Sequence, residues 1–207
     1  MVKTKQYHLS NLLDTYEHII ARCTLIEQVS QSVDFIPKTH ITIKDDILLY
    51  EQEFIQREKL HLISHDEKCE LLNTFASNLD SLRSFNFVHG DINPSNVLYN
   101  GKQFNLIDLE PSFRQRKFGK KIVTSAVPLR SLNDIKNKSI SVETDKIGFY
   151  LFGMRLLGKA LKFPNKRELS KQRKRGMEFL PIQERLFLQL SFKEIFEKFI
   201  KPSQGYC

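Results

Sequence analysis

A short segment near the middle of the chain combines imidazole, carboxylate and amide side chains at spacings suited to phosphoryl transfer. His89-Gly90-Asp91 is followed by Asn96, five positions after Asp91, and Asp108 stands twelve positions further on, at the end of an apolar segment. Transfer of a phosphoryl group from a nucleotide needs a carboxylate near the attacking hydroxyl and oxygen ligands for Mg²⁺. The spacing therefore predicts that Asp91 orients or deprotonates a hydroxyl, and that Asn96 and Asp108 hold the metal.

Two short strands joined by a tight turn are expected to bring the two metal ligands together. Residues 96–99 and 104–107 are largely apolar, and Asn100-Gly101 between them is a strong tight-turn signal. Because such a hairpin folds back on itself, Asn96 at its start and Asp108 after its end are expected to meet over one site.

The remaining elements are helices and strands without a regular alternation. Apolar spacing predicts helices over residues 9–30, 66–84, 144–161 and 182–200, and a strand pair at 39–43 and 47–51. Ser10 or Asn11 is the expected cap of the first helix. The lack of β-α-β alternation favours an α+β fold over a Rossmann fold or a barrel. A change of composition at residues 53–57 divides the chain into residues 1–55, which contain strands, and residues 56–207, which are largely helical.

The composition is that of a globular protein. Of the 207 residues, 41% are hydrophobic and 27% are charged, which is ordinary for a chain that buries a core. No run approaches the ~20 apolar residues that cross a bilayer, and residues 1–6 lack the pattern of a secretory signal. The three cysteines (Cys23, Cys69 and Cys207) are widely spaced and favour reduced thiols. These features predict a cytoplasmic protein without a transmembrane segment.

The formal charge of +8 is concentrated in two basic runs, at residues 114–121 and 162–175. Such runs attract an acidic or phosphorylated partner, an anionic membrane surface or nucleic acid, and the plain alternative is a solvated surface. Neither run interleaves aromatic and basic side chains as a base-stacking groove does. Nucleic acid is therefore the least favoured partner, and peripheral contact with an anionic membrane stays open.

The H-G-D-x-x-x-x-N string, the Asn-Gly hairpin and the following I-D-L-E closely resemble the catalytic and metal loops of the protein-kinase-like superfamily. The H-G-D form is similar to that of aminoglycoside and choline-type kinases, lipopolysaccharide-core sugar kinases and small atypical protein kinases. The resemblance implies ATP and Mg²⁺ as cofactors, Asp91 as catalytic base, and Asn96 and Asp108 as metal ligands. It makes His89 a structural residue of the catalytic site.

The resemblance also implies a bilobal protein-kinase-like fold, with a reduced N-terminal lobe at residues 1–55 and a short helical C-terminal lobe at residues 56–207. Residues 46–51 look like the last small-lobe strand, so that the backbone near Glu51 would meet the adenine. Asp145 would cap the catalytic loop from below, although an ordinary aspartate in the first turn of a helix explains it equally well.

The match departs from the family at the phosphate-binding end. No glycine precedes Gly90, so a glycine-rich phosphate loop is absent from the first part of the chain. Lys5 is the candidate phosphate-binding lysine, with Glu17 on the following helix as its expected partner and Glu27 as the alternative carboxylate. A lysine that is simply solvated is the competing interpretation.

Two departures lie within the catalytic and metal loops. Asn93 stands in the catalytic loop where protein Ser/Thr kinases commonly carry lysine, which weakens any claim of serine or threonine specificity. Asp108 is followed by Leu109-Glu110 instead of Phe-Gly. Glu110 resembles the extra acidic residue of choline-type kinases and would add a metal oxygen, unless it is only a surface glutamate before Pro111.

Two classes of function follow from these residues. The first is an ATP- and Mg²⁺-dependent phosphotransferase whose acceptor is a hydroxyl on a protein or on an anionic glycolipid or sugar, with residues 114–121 as a docking surface. The second is a pseudokinase that acts as a binding module, which the absent glycine loop motivates. Retention of Asp91, Asn96 and Asp108 together favours the enzyme. A gene product that lacks its first strands is a third possibility.

Overall fold

The structure is a computed structural model, and it describes residues 1–12, 15–109, 115–117, 120–122, 134, 140–159 and 188–201. At residues 115–117 and 120–122 the description covers the backbone alone. Across these parts the chain is a mixed α+β protein, as its sequence predicts.

A three-stranded antiparallel sheet forms the first part of the fold. Its strands are β1 (Val2–His8), β2 (Thr39–Lys44) and β3 (Ile47–Glu53), in the order β1-β3-β2. Strands β2 and β3 are the predicted hairpin. Lys5 on β1 pairs with Tyr50 on the central strand, whose side chain is buried. Because alternate residues of a strand share a face, Lys3 and Lys5 both lie on the inner face of the sheet.

Helix α1 (Tyr16–Ser32) begins later than its sequence suggests. The predicted start at residue 9 is wrong, because residues Leu9–Asn11 form a 3₁₀ turn. Ser10, one of the expected caps, donates its hydroxyl hydrogen to Asp46 Oδ2 at 2.9 Å and so ties this turn to the β2–β3 connection. Thr15 caps the helix instead, and its hydroxyl oxygen accepts a hydrogen bond from the His18 N–H.

The second part of the fold is built from helices and two short hairpins. They are α2 (His65–Ser81), α3 (Val142–Leu156) and α4 (Phe192–Ile195), which continues as a π-helical turn (Phe196–Ile200). The hairpins are β4 (Val97–Tyr99) with β5 (Phe104–Leu106), and β6 (Gln115–Lys117) with β7 (Lys120–Ile122). 3₁₀ turns at Leu60–Leu62 and Leu82–Phe85 precede and follow α2. A full capping box between Ser64 and Glu67 begins α2.

An aromatic cluster centred on Phe75 of α2 joins these elements. The Phe75 ring lies 6.3 Å from that of Phe35 before β2, 5.7 Å from that of Phe104 on β5, and 6.1 Å from those of Phe149 and Phe152 on α3. The buried apolar residues of both halves of the chain belong to this one core. No helix in the described parts is both long and apolar enough to cross a bilayer.

Candidate functional site

The predicted catalytic loop is held by the first turn of α3. The carboxylate of Asp145 is buried and accepts the His89 N–H at 2.8 Å with Oδ2 and the Gly90 N–H at 2.6 Å with Oδ1. Burial raises the pKa of Asp145 to about 7, although both N–H groups favour its charged form. Asp145 therefore supports the loop from below, as the family resemblance implies.

His89 uses both of its ring nitrogens inside the protein. Its Nδ1 accepts the Asp91 N–H at 3.2 Å, and its Nε2 lies 2.8 Å from the carbonyl oxygen of Ile107. A carbonyl only accepts, so the proton resides on Nε2 and the ring is neutral. Burial lowers the pKa of His89 to about 4, and the hydrogen bond to Ile107 and the charge of Asp108 oppose that effect only in part. His89 thus joins the predicted catalytic loop to the segment that carries Asp108.

Two glycines allow the close packing around this loop. Gly90 has a φ of +86°, and a Cβ there would lie 2.7 Å from Cγ2 of Ile140. A Cβ on Gly148 of α3 would lie 2.5 Å from the carbonyl oxygen of Ile92. The backbone of α3 can therefore approach the loop closely enough for Asp145 to reach it.

Asp91 and Asn96 face each other across the loop. The Nδ2 group of Asn96 donates to Asp91 Oδ2 at 3.1 Å and to the Asp91 carbonyl oxygen at 3.0 Å. Asn93 bonds within the same loop, since its Nδ2 donates to the Asp91 carbonyl and its Oδ1 accepts the Ser95 N–H. The structure thus brings Asp91 and Asn96 together and gives Asn93 the task of shaping the turn between them.

The β4–β5 hairpin places Asp108 next to this loop, as its sequence predicts. Val97 pairs with Leu106, and the Ile107 N–H donates to the Asn96 carbonyl oxygen at 2.9 Å. Asp108 itself has a φ of +61°, in the left-handed region that residues other than glycine rarely adopt. Such strained backbone persists where surrounding contacts enforce it, and it is frequent at functional sites.

Two lysines of strand β1 reach the Asp108 carboxylate. Lys5 Nζ lies 2.6 Å from Asp108 Oδ1, and Lys3 Nζ lies 3.4 Å from the same oxygen. Burial by itself would raise the pKa of Asp108, but the hydrogen bond and charge of Lys5, with a smaller contribution from Lys3, hold it below its usual value. The predicted phosphate-binding lysine and the predicted metal ligand, 103 positions apart, therefore meet at one point.

Two residues that the local sequence does not single out, Lys3 and Arg22, also contact this region. Lys3 and Lys5 are two positions apart in a strand, which places both on one face. The guanidinium of Arg22 on α1 lies 5.9 Å from the centre of the Phe87 ring, and its Nη2 is 3.5 Å from the Val88 carbonyl oxygen, just before His89. No local pattern marks Arg22, because its role depends on how α1 packs.

The other predicted site residues have different positions. Glu17 is exposed in the first turn of α1, where hydrogen bonds from its own N–H and from the Thr15 hydroxyl lower its pKa. Glu27 accepts the Ile41 N–H of β2 at 2.7 Å. Glu51 is half-buried within β3, between Thr4 and His40 on the neighbouring strands. The pairing of Lys5 with Glu17 and the adenine contact near Glu51 stay predictions.

Several predicted features fall outside the described residues. Glu110 lies there, and so does the basic run at 162–175. Of the run at 114–121, the backbone of β6 and β7 is described as a two-stranded antiparallel ribbon. Within the described ranges, no three His, Cys, Asp or Glu side chains are grouped as a metal site. Asn96, Asp108 and Glu110 stay the predicted metal ligands.

No protein-family model matches this chain, and no curated protein matches it either.

Proposed function

We propose that this protein is an ATP- and Mg²⁺-dependent phosphotransferase with a bilobal, protein-kinase-like fold and a reduced N-terminal lobe. Its acceptor is a hydroxyl group on a protein or on an anionic glycolipid or sugar. The observation that carries the proposal is the 2.6 Å contact between Lys5 Nζ and Asp108 Oδ1, beside the bonded pair of Asp91 and Asn96. A cation for phosphate, a metal-binding carboxylate and a loop carboxylate are the groups that phosphoryl transfer uses.

Each of these side chains has a distinct task in the proposed reaction. A carboxylate oxygen of Asp91 accepts the proton of the acceptor hydroxyl as the hydroxyl oxygen attacks the terminal phosphorus of ATP. The bond between that phosphorus and the bridging oxygen breaks, and ADP leaves. Lys5, assisted by Lys3, holds the phosphate oxygens of the nucleotide. The amide of Asn96 orients Asp91 through the 3.1 Å hydrogen bond, and His89 and Asp145 keep the loop in place.

The donor atoms at the site suit Mg²⁺. This ion prefers oxygen ligands, and proteins commonly hold it with one or two carboxylates together with nucleotide phosphates. Asp108 and Asn96 would supply the protein oxygens, and Mg²⁺, when bound, would neutralise part of the charge on the phosphates. The two lysines on Asp108 would be shared between that carboxylate and the phosphates.

Calorimetry of Mg²⁺-ATP binding tests the proposal. Asp108→Asn is expected to weaken Mg²⁺-ATP binding at least tenfold, because the metal loses its carboxylate. Asp45→Asn is the matched control, since Asp45 is an exposed aspartate that also has a left-handed backbone, with a φ of +54°. The control is expected to bind as the wild type does. Failure of the folded wild-type protein to bind millimolar Mg²⁺-ATP would refute the proposal.

A pseudokinase is the second candidate, and the lack of any glycine before Gly90 favours it. Without a glycine loop, the backbone cannot cover the phosphates as it does in typical kinases. Turnover distinguishes the two candidates, since a pseudokinase that binds Mg²⁺-ATP would hydrolyse or transfer nothing. Phosphate release that is lost in Asp91→Asn, with nucleotide affinity retained, would support the enzyme.

A cytoplasmic location is part of the proposed function and rests on the cysteines, of which Cys23 and Cys69 are free thiols.

A further inference from the structure

A cavity of about 250 Å³ lies beside the predicted catalytic loop and is lined by basic side chains from four segments. Arg57 comes from the connection after β3, His61 from the 3₁₀ turn Leu60–Leu62, Lys68 from the first turn of α2, and Arg155 from the last turn of α3. The wall also includes Phe152 and the loop residue Pro94.

Within the described parts of the chain, no acidic residue lines this cavity, and none of its four basic side chains forms an ion pair with a carboxylate. Like charges that lie close together repel each other, and a bound anion relieves that repulsion. Guanidinium groups are suited to phosphate, because their planar N–H donors match two of its oxygens.

The cavity is close to the proposed point of reaction. Pro94 is three positions from Asp91, and three residues span at most about 11 Å. The cavity volume equals that of several water molecules, at ~30 Å³ each, which is enough for a phosphate group and part of the molecule that carries it. Pro94 therefore links the wall of the cavity to the loop that carries Asp91.

We infer that this cavity, defined by Arg57, His61, Lys68 and Arg155, binds a phosphate monoester group of the acceptor. That the ligand is the acceptor of the reaction rests on the proposed function. Binding of an anion in the cavity does not depend on phosphotransfer. The cavity selects acceptors that already carry a phosphate, and it holds the reacting hydroxyl near Asp91.

Binding of inorganic phosphate, followed by calorimetry on the full chain, tests the cavity directly. The double variant Arg57→Gln/Arg155→Gln is expected to bind phosphate at least tenfold more weakly than the wild type, because it loses both guanidinium groups. Arg83→Gln/Lys44→Gln removes the same charge from exposed positions that do not line the cavity, and it is expected to bind within twofold of the wild type. Arg57 and Arg155 are exposed as well, so circular dichroism of the double variant should match that of the wild type.

A further variant separates the cavity from the nucleotide site. Lys5→Met is expected to keep its phosphate affinity, because Lys5 contacts Asp108 and does not line the cavity. Loss of phosphate binding in Lys5→Met but not in Arg57→Gln/Arg155→Gln would place the anion at the nucleotide site and overturn the inference. Equal phosphate affinity of wild type and cavity variant would overturn it too.

The same proteins distinguish failure of the inference from failure of the proposed function. If the wild-type chain binds phosphate through Arg57 and Arg155 but does not bind Mg²⁺-ATP, the anion site is supported and the phosphotransferase proposal is refuted. If it binds Mg²⁺-ATP but does not bind phosphate, the phosphotransferase proposal stands and the proposed anion site is refuted. Glucose 6-phosphate and a phosphoserine peptide, compared as competitors of phosphate, then show which carrier of the phosphate fits.

Discussion

Asp108 shows at the scale of a single residue how this site is stabilised. Its backbone is left-handed, with a φ of +61°, and its carboxylate lies within 2.6 Å of Lys5 Nζ. A left-handed residue costs about 1–2 kcal/mol, less for aspartate than for most side chains. The hairpin lies on one side of Asp108, and on the other side the two lysines of strand β1 contact its carboxylate.

His89 allows a test of stability against pH at the same scale. Its pKa is about 4 in the folded protein and near the ordinary value of 6.5 when unfolded. Neutral His89 therefore contributes stability that is present above pH 6.5 and is lost as the pH falls toward 4. Replacement by glutamine, whose amide can also donate to Ile107, removes this dependence.

We accordingly expect the difference in unfolding free energy between wild type and His89→Gln to shrink by about 2 kcal/mol from pH 7 to pH 5. Urea unfolding at both pH values measures it. Asp145, with its raised pKa, titrates in both proteins and largely cancels from the difference. His65 is exposed and forms no ion pair within the described residues, so His65→Gln serves as the control and should show no such change. A pH-independent difference for His89→Gln would show that the imidazole is not held neutral.

At the scale of elements, α3 supports the predicted catalytic loop. Asp145 receives two backbone hydrogen bonds from the loop, and Gly148 one turn later lets the helix approach Ile92. Asp134 accepts hydrogen bonds from the hydroxyls of Ser141 and Thr144, and these bonds hold the first turn of α3 in place. The orientation of Asp91 thus follows from the docking of a helix that lies more than 50 residues later in the chain.

Gly90 provides the test of this docking. Gly90→Ala adds a Cβ 2.7 Å from Ile140 Cγ2 at a φ of +86°, so it combines backbone strain with a clash. Gly158 also has a positive φ, of +68°, but a Cβ there meets nothing within 4 Å. We expect Gly158→Ala to cost about 1 kcal/mol and Gly90→Ala about 3 kcal/mol, measured by urea unfolding. Equal costs would mean that the loop can shift away from Ile140 freely.

At the scale of the whole molecule, one aromatic core connects the sheet side and the helical side. The ring of Phe75 packs against the rings of Phe35 before β2, Phe104 on β5 and Phe152 on α3. Since Phe104 lies on β5, which leads into the segment that carries Asp108, packing at the centre of the molecule also affects the position of Asp108. The distance between Lys5 and Asp108 therefore depends on the packing of the core as a whole.

Truncation of Phe75 is expected to destabilise the whole protein. Phe75→Ala removes a buried ring with four aromatic neighbours, which typically costs 3–5 kcal/mol in the free energy of unfolding. Phe54→Ala is the control, because that ring is 51% exposed, and it should change stability by less than about 0.5 kcal/mol. Guanidinium unfolding monitored by circular dichroism measures both. A loss below about 1 kcal/mol for Phe75→Ala would contradict a core centred on this ring.

The sequence by itself determined the parts of this protein that depend on near neighbours. The spacing of Asp91, Asn96 and Asp108 around an Asn-Gly turn was enough to predict the β4–β5 hairpin and the approach of its two ends. Periodicity located α2, α3 and the β2–β3 hairpin, because helices and strands repeat their environment every few residues.

Only the tertiary structure decided which distant groups meet. It tied Ser10 to Asp46, which delays the start of α1, and it brought Lys5 to Asp108 across 103 positions. It also gathered Arg57 and Arg155 around one cavity, although nothing in the local sequence links them. These contacts follow from how helices and sheet pack around a shared core, and that packing depends on all of the buried side chains at once.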